Sequence, residues 1–332
     1  MKMKLFCMMV LCTGLLVGCD KEQDEYEPVK LPTEQPEQPD EPIIPPSTDD
    51  IIKTKIGDIN MIVGTKEWTD IAYGNGKYVV VGNDYNDGYV TSSTDGVTWE
   101  TPKVIPSPNY TWVSVAFGNG KFVAIDLNTP CNVMTSTDGI NWTLQSNKLP
   151  HTDNRYYNKV RFCNGIFIAV GPAQISTSTN GTTWTRTWLN SYIYEAQDIS
   201  YGNGKYVTYV EGAKVLTSSD AIAWVMKQHQ CLIGNYYIYG ITFGNGVFVM
   251  VGSKGITARS TDNGETWEVP STFVSNKTWK GVIYNNGKFI AVSIDGLVST
   301  SIDGINWTAP EQIKDEFGNI VTATFNGICA MP

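Results

Sequence analysis

The chain has 332 residues and a net charge of −9, and residues 20–50 alone carry a net charge of −9. Residues 51–332 are nearly neutral and contain all four arginines of the chain. Binding of nucleic acid needs a basic stripe, so this charge distribution excludes nucleic acid as a partner.

The N-terminal segment, residues 1–18, has the parts of a secretory signal: Lys2 and Lys4, the apolar run LFCMMVLCTGLLV, and a small-residue site. The run is short for a membrane span, which favours a removable leader. Its end, LVGC, resembles the lipobox of bacterial lipoproteins. The resemblance implies lipidation of Cys19 and membrane attachment through it; the alternative is a cysteine that ends an ordinary signal peptide.

Residues 19–50 are predicted to be a disordered tether, because seven prolines and many acidic residues leave too little apolar surface to bury. The stretch DKEQDE after Cys19 resembles signals that send some Gram-negative lipoproteins to the outer face of the outer membrane. The resemblance implies a lipid-anchored, surface-exposed protein. A charged tether alone explains the same letters.

A repeated unit organises residues 51–332. Variants of YGNGKY and FGNGKF recur, ending with a shortened FNGI, and their central asparagines lie 39 to 45 residues apart: Asn75, Asn119, Asn164, Asn203, Asn245, Asn286 and Asn326. Asn-Gly favours a two-residue hairpin turn, and β-branched and aromatic residues flank it. Each unit thus predicts four short antiparallel strands, as in one blade of a β-propeller.

The sequence therefore predicts an all-β, seven-bladed β-propeller of four-stranded antiparallel blades, present as a monomer. The apolar segment IIKTKIGDINMIVG precedes the first unit, and the last unit is shortened. We expect these N- and C-terminal strands to share one blade and close the ring. Six blades with an extra hairpin is the alternative.

A second motif, STDGVTW at residues 93–99, returns as STDGINW, STNGTTW, SSDAIAW, STDNGETW and SIDGINW. It resembles the Asp-box, or BNR repeat, of sialidases and related propellers. A turn carboxylate can accept backbone N–H groups while the indole covers the turn, so a structural role is predicted. The residues assigned to it are Asp95, Trp99, Asp138, Trp142, Trp184, Trp224, Asp262, Trp267, Asp303 and Trp307.

The Asp-box resemblance raises the question of sialidase activity, but this activity is not expected. Sialidases hold a substrate carboxylate with three arginines, and here Arg186 and Arg259 flank Asp-boxes rather than the funnel. No catalytic residue, metal site or cofactor is predicted. Another glycosidase activity stays open, because it needs only two suitably placed carboxylates, and no pairing can be deduced from the sequence. The loop and inner-strand candidates are Asp70, Asp84, Asp87, Asp153, Glu195, Asp198 and Glu211. The globular cysteines are predicted to be free thiols.

Candidate ligand-binding residues lie where the blades differ, in connections expected to meet on one face around the funnel. Aromatic rings suit sugar faces and protein hot spots. Packing between blades is the alternative, especially for the members that share one register. A cationic group on the third blade would hold a carboxylate or sulfate, or else pair with Asp198. The candidates are Trp112, Tyr156, Tyr157, Trp188, Tyr192, Tyr236, Tyr237 and Trp279, with Arg155, Lys159 and Arg161.

Non-catalytic recognition of a glycan or a surface protein is the function that these features favour. A glycoside hydrolase or lyase acting in the funnel is one alternative. A scaffold or assembly factor is another.

Overall fold

The computed structural model describes residues 67–313 except 85–86, 97, 106–110, 152–154, 190–194, 235 and 271–276. It also describes Ile320 and the strands at residues 5–10, 52–56, 59–63 and 324–330. Within these ranges the protein is a β-propeller of small antiparallel sheets. No helix among the described residues is long and apolar enough to cross a membrane.

Blades one to three are four-stranded meanders in which consecutive strands pair. Blade one comprises β4 (Glu67–Gly74), β5 (Lys77–Asp84), β6 (Asp87–Ser93) and β7 (Lys103–Val104). Blade two comprises β8 (Trp112–Gly118), β9 (Lys121–Asp126), β10 (Val133–Ser136) and β11 (Thr143–Leu144). Blade three comprises β12 (Lys159–Cys163), β13 (Ile166–Gly171), β14 (Gln174–Ser178) and β15 (Thr185–Leu189).

Blades four to six follow the same order, although blade five has three strands. Blade four comprises β16 (Ala196–Gly202), β17 (Lys205–Val210), β18 (Lys214–Ser218) and β19 (Val225–Gln228). Blade five comprises β20 (Ile238–Gly244), β21 (Val247–Gly252) and β22 (Thr257–Ser260), with 3-10 turns at Gln230–Leu232 and Ser253–Gly255. Blade six comprises β23 (Trp279–Asn285), β24 (Lys288–Ser293), β25 (Leu297–Ser301) and β26 (Glu311–Gln312).

The terminal segments form a further sheet in the order β2 (Ile52–Ile56), β3 (Ile59–Val63), β1 (Leu5–Val10) and β27 (Thr324–Ala330). The N- and C-terminal strands thus share one sheet, but β1 and β3 are parallel, so this sheet is not an antiparallel blade. Strand β1 also lies within the predicted leader. The described structure has six blades, and the prediction of seven was wrong.

The predicted seventh turn explains the miscount. Asn75 and its equivalents in blades two to six have φ between 45° and 50°, as a tight hairpin turn requires. Asn326 and Gly327 instead lie inside the extended strand β27. The Nδ2 atom of Asn326 donates to the carbonyl oxygen of Trp68 at 3.0 Å, which joins β27 to blade one. The C-terminal segment therefore supplies one inner strand rather than a hairpin.

Neighbouring blades interlock through the aromatic-Gly-Asn-Gly motif. A Cβ atom on Gly74 would lie 2.0 Å from the ring of Phe117, and one on Gly118 would lie 2.0 Å from Phe162. Each glycine thus receives the aromatic ring of the following blade. The next residue adds a polar bond, since Nδ2 of Asn119 donates to the carbonyl oxygens of Gly165 (3.2 Å) and Thr179 (2.9 Å).

Candidate functional site

Seven inner strands surround a central channel, and a residue at or just before the start of each lines one cavity. This entry cavity has a volume of about 250 Å³. Most of its walls are polar or charged. The seven equivalent residues are Thr69, Val113, Asn158, Gln197, Tyr239, Lys280 and Asn326.

Two ion pairs fix the cations of the third blade. Nζ of Lys159 lies 2.8 Å from Oδ1 of Asp70, and Arg161 binds both carboxylate oxygens of Asp198 at 2.7 and 2.9 Å. Burial opposes ionisation of Asp70, but Lys159, Arg161 and hydrogen bonds together hold its pKa below the ordinary value. Both carboxylates are buried. Arg161 thus forms the ion pair with Asp198 that was the predicted alternative to ligand binding.

Lys280 is the third cation of the entry cavity, and no described carboxylate pairs with it. Its Nζ atom lies 3.8 Å from the ring centroid of Tyr239, a cation–π contact. Burial, followed by repulsion from Lys159, lowers the pKa of Lys280. Because Asp70 and Asp198 neutralise Lys159 and Arg161, Lys280 is the uncompensated cation among the described residues that line the cavity.

Two carboxylates stand beside this cavity on blade four. Oε1 of Glu195 lies 3.3 Å from Nδ2 of Asn158 and 3.4 Å from the hydroxyl of Tyr156. Burial, and then repulsion from Glu195, raises the pKa of Glu211. Burial, and then Glu195 and Glu211, raises the pKa of Tyr156. The sequence alone could not show which carboxylates lie close together, and the fold brings these two near each other.

Aromatic side chains continue from the cavity to the surface. The rings of Tyr237 and Tyr239 stack with centroids 6.4 Å apart, and Tyr237 is 48% exposed. Tyr236 lies beside them in sequence, and Nζ of Lys254 is 6.0 Å from its ring centroid. We call Tyr156, Tyr236, Tyr237 and Tyr239 the tyrosine rim. It offers apolar ring surface next to a charged cavity.

Three of the aromatic residues predicted to bind a ligand are instead buried in the core. Trp112, Tyr157 and Trp279 are fully buried, like Trp68 at the same register. The hydroxyl of Tyr157 donates to the carbonyl oxygen of Pro150 at 2.7 Å and bonds to Ser176 at 2.6 Å. Side chains enclosed in this way pack between blades and cannot contact a ligand from solvent.

The other candidates fall into separate places. Trp188 is half-buried and packs against the hydrophobic core of blades three and four. Arg155 is half-buried, and its side chain is not among those that line the entry cavity. Tyr192 and Cys19 lie outside the described residues. Of the predicted set, Lys159 and Arg161 line the cavity, and Tyr156, Tyr236 and Tyr237 belong to the tyrosine rim.

The Asp-box turns lie away from the entry cavity, and none of their residues lines it. In the second blade, Oδ1 of Asp138 accepts from the backbone N–H groups of Ile140 and Asn141, both at 2.8 Å. These bonds lower the pKa of Asp138. The indole of Trp142 donates to the carbonyl oxygen of Gly139 at 3.3 Å. Each turn is therefore closed by its own residues.

The six turns also share a serine that donates to the box Asp or Asn at 2.8 to 3.1 Å. These pairs are Ser93–Asp95, Ser136–Asp138, Ser178–Asn180, Ser218–Asp220, Ser260–Asp262 and Ser301–Asp303.

No described cysteine or histidine side chain lines the entry cavity. Cys131, Cys163, Cys231 and Cys329 are free thiols, and burial raises the pKa of Cys163 to about 12. Within the described ranges, no three Cys, His, Asp or Glu residues are grouped as a metal site would need. Neither His151 nor His229 lines the entry cavity.

Sequence reasoning missed Lys280, Tyr239 and Asn158 as site residues. All three occupy the position directly after the register-matched residue of the inner strand. This offset was a usable signal, because a strand alternates its faces and a buried aromatic residue places its neighbour toward the channel.

No family model and no curated protein matches the sequence. Solved structures do match. YCF48 bound to D1 peptide is 19% identical, with 74% of this chain and 81% of that chain covered and a TM-score of 0.57. YCF48 from Cyanidioschyzon merolae is 16% identical, with 80% and 94% covered and a TM-score of 0.57.

Virginiamycin B lyase from Staphylococcus aureus is 13% identical, with 75% of this chain and 85% of that chain covered and a TM-score of 0.62. At these identities the likeness shows the β-propeller fold alone. The Asp-box and sialidase-like resemblances remain interpretations of the sequence.

Proposed function

We propose that this chain is a non-catalytic recognition module that binds a protein segment at the tyrosine rim and the entry cavity. The observation that carries the proposal is the convergence of non-repeating side chains at one end of the channel: Tyr237 and Tyr239 stack there beside Lys280. Rigid aromatic anchors next to a fixed charge are typical of protein-binding hot spots.

Three further observations support a binding role. The lining cations Lys159 and Arg161 are held by ion pairs, so this part of the cavity wall is preorganised. Tyr237 is accessible before any partner arrives. A structural neighbour, YCF48, was solved with a peptide bound, which supports a protein segment as the type of ligand for this fold.

A glycan is the second candidate ligand, favoured by the exposed stacked rings of Tyr237 and Tyr239, which suit the apolar faces of sugars. A hydrolase or lyase is the enzymatic alternative, and the nearness of Glu195 to Glu211 is the observation in its favour. A scaffold role would use the same rim to hold two partners together.

We further propose that lipid on Cys19 and the tether of residues 19–50 display the module on the outer face of the outer membrane. The sequence motifs support this placement. Labelling of whole cells with a membrane-impermeant reagent, with and without Cys19→Ser, tests both the anchor and the exposure.

Screening the full-length chain on a peptide array and a glycan array tests the ligand proposal. We expect peptide binding that Tyr237→Ala removes without unfolding the protein. Ile222→Ala is the control, because Ile222 is an exposed residue of an Asp-box turn away from the rim. Binding to neither array, or undiminished binding by Tyr237→Ala, would overturn the proposal. Turnover that is lost in Glu211→Gln would favour the enzyme.

A further inference from the structure

Inner strands of several blades are joined by one repeated bond. The residue that follows the cavity-lining position accepts the backbone N–H of the next blade's inner strand. The three bonds run from Val115 to Asp70 (3.1 Å), from Val160 to Ser114 (3.1 Å) and from Ile241 to Asp198 (3.4 Å). A side-chain oxygen occupies this position in three of the seven inner strands, whereas Lys159 follows Asn158, and glycine follows Tyr239, Lys280 and Asn326.

Blade five has glycine at the equivalent position, Gly240. A Cβ atom built there would lie 3.2 Å from the backbone nitrogen of Val282 on blade six. By the register of the repeat, this nitrogen corresponds to those of Val115 and Ile241, which donate to Asp70 and Asp198. No side chain among the described residues accepts from Val282, so the place that a carboxylate takes in blades one and four is open here.

The uncompensated cation stands next to this opening. Lys280 is two residues before Val282, and its ammonium group rests on the ring of Tyr239, which directly precedes Gly240. Lys280, Gly281 and Val282 all line the entry cavity. An ammonium group and a backbone N–H beside one cavity are the donors that a carboxylate uses.

We propose that the entry cavity binds a carboxylate group between Nζ of Lys280 and the backbone N–H of Val282, in the place where blades one and four carry Asp70 and Asp198. The source of this carboxylate rests on the recognition module proposed above: it belongs to the bound protein segment. It completes the charge balance of the cavity.

Chemical reactivity of Lys280 tests the site without any partner protein. The full-length chain is treated with a limiting acetylating reagent, and acetylation of each lysine is followed by peptide mass spectrometry. The probes are N-acetylalanine, which carries a carboxylate, and N-acetylalaninamide, which does not. The exposed Lys103, on the outer strand of blade one, serves as the internal control.

We expect N-acetylalanine at saturation to slow acetylation of Lys280 about tenfold, because an adjacent carboxylate raises an amine's pKa by about one unit and depletes its free base. N-acetylalaninamide should have no effect, and Lys103 should react equally in all samples. Equal reactivity of Lys280 with both probes would overturn the site.

Substitution of Gly240 provides a second test within the chain. Gly240→Asp supplies the missing carboxylate, so Lys280 should react slowly without a probe and should no longer respond to N-acetylalanine. Gly240→Asn is the matched neutral control and should leave Lys280 reactive. Equal rates in the two variants would contradict an electrostatic site. If Gly240→Asp does not fold, the wild-type comparison of the two probes decides.

The outcomes separate this inference from the proposed function. Protection of Lys280 by N-acetylalanine, with no peptide or glycan bound on the arrays, keeps the carboxylate site and overturns the recognition of a protein segment. Peptide binding that persists while Lys280 is never protected overturns the carboxylate site and keeps the recognition module.

Discussion

Lys159 and Asp70 join two blades that are not neighbours, since Nζ of Lys159 on blade three lies 2.8 Å from Oδ1 of Asp70 on blade one. Lys159 lines the entry cavity, and both side chains are largely buried, with 12% and 2% of their surfaces exposed. This ion pair therefore ties the ring together beside the proposed site.

Removal of Lys159 should destabilise the protein. Lys159→Met leaves Asp70 as a buried charge without its main partner, and we expect a loss of about 3 kcal/mol in the free energy of unfolding. The double variant with Asp70→Asn should lose less than the sum of the single losses. Urea denaturation measures all three. Additive losses would show that the two side chains do not interact.

The same pair predicts a pH dependence. The pKa of Asp70 is lower in the folded state than its ordinary value of 3.8. Its contribution to stability is therefore present above the unfolded pKa and is lost as the pH falls through the folded pKa. Thermal unfolding between pH 2 and pH 6 should show a smaller acid-side decline in Asp70→Asn than in wild type. Identical declines would contradict the assignment.

One glycine from each of the two turn motifs provides a matched pair of Gly→Ala substitutions. Gly139 and Gly120 both have positive φ, 72° and 74°, but a Cβ on Gly139 would lie 2.5 Å from Val79, whereas Gly120 has open space. Gly120→Ala should cost about 1 kcal/mol of unfolding free energy for its backbone conformation. Gly139→Ala should cost about 1–3 kcal/mol more for overpacking. Equal losses would show that the Asp-box turn does not depend on this contact.

Inter-blade bonds from the hairpin asparagines should be separable from their turn conformation. Asn119→Gly retains the positive φ but removes the two bonds to Gly165 and Thr179, so we expect a loss of about 1 kcal/mol. Asn119→Asp places acceptors against both carbonyl oxygens and should cost more. Chemical denaturation compares them; a neutral effect of both substitutions would contradict the role in joining blades.

The sequence predicted the fold better than the site. The hairpin turns could be read because Asn-Gly favours positive φ, and the alternating apolar pattern located most inner strands. The same dipeptide misled at Asn326, where the segment lies extended beside blade one. A local motif carries no information about which strands pair in the folded protein, so the number of blades could be counted only from the tertiary structure.

The site depended on juxtapositions that no local pattern contains. Tyr239 and Lys280 are far apart in the chain and become neighbours because their strands are adjacent in the ring. Burial also decided between binding and packing for Trp112 and Trp279, since their shared register fits both roles. The non-repeating Tyr237 was predictable, because it falls outside that register.

Buried and exposed aromatics should therefore respond differently to truncation. Trp279→Ala should lower the free energy of unfolding by about 3–5 kcal/mol, because it removes a fully buried indole. Tyr237→Ala should change stability by less than about 0.5 kcal/mol and should weaken peptide binding instead. Calorimetry and the binding assay together check the contrast, and a large stability loss in Tyr237→Ala would assign that ring to packing.

Binding of an array-selected peptide to three variants tests the central claim most directly, that function lies at the channel entry and not in the repeated turns. The variants are Tyr237→Ala, Lys280→Gln and Asp138→Asn, the last copying the Asn180 of the third blade. Titration calorimetry should show lost binding in the first two and wild-type affinity in Asp138→Asn. Retained binding in the first two variants, with loss in Asp138→Asn, would contradict the account.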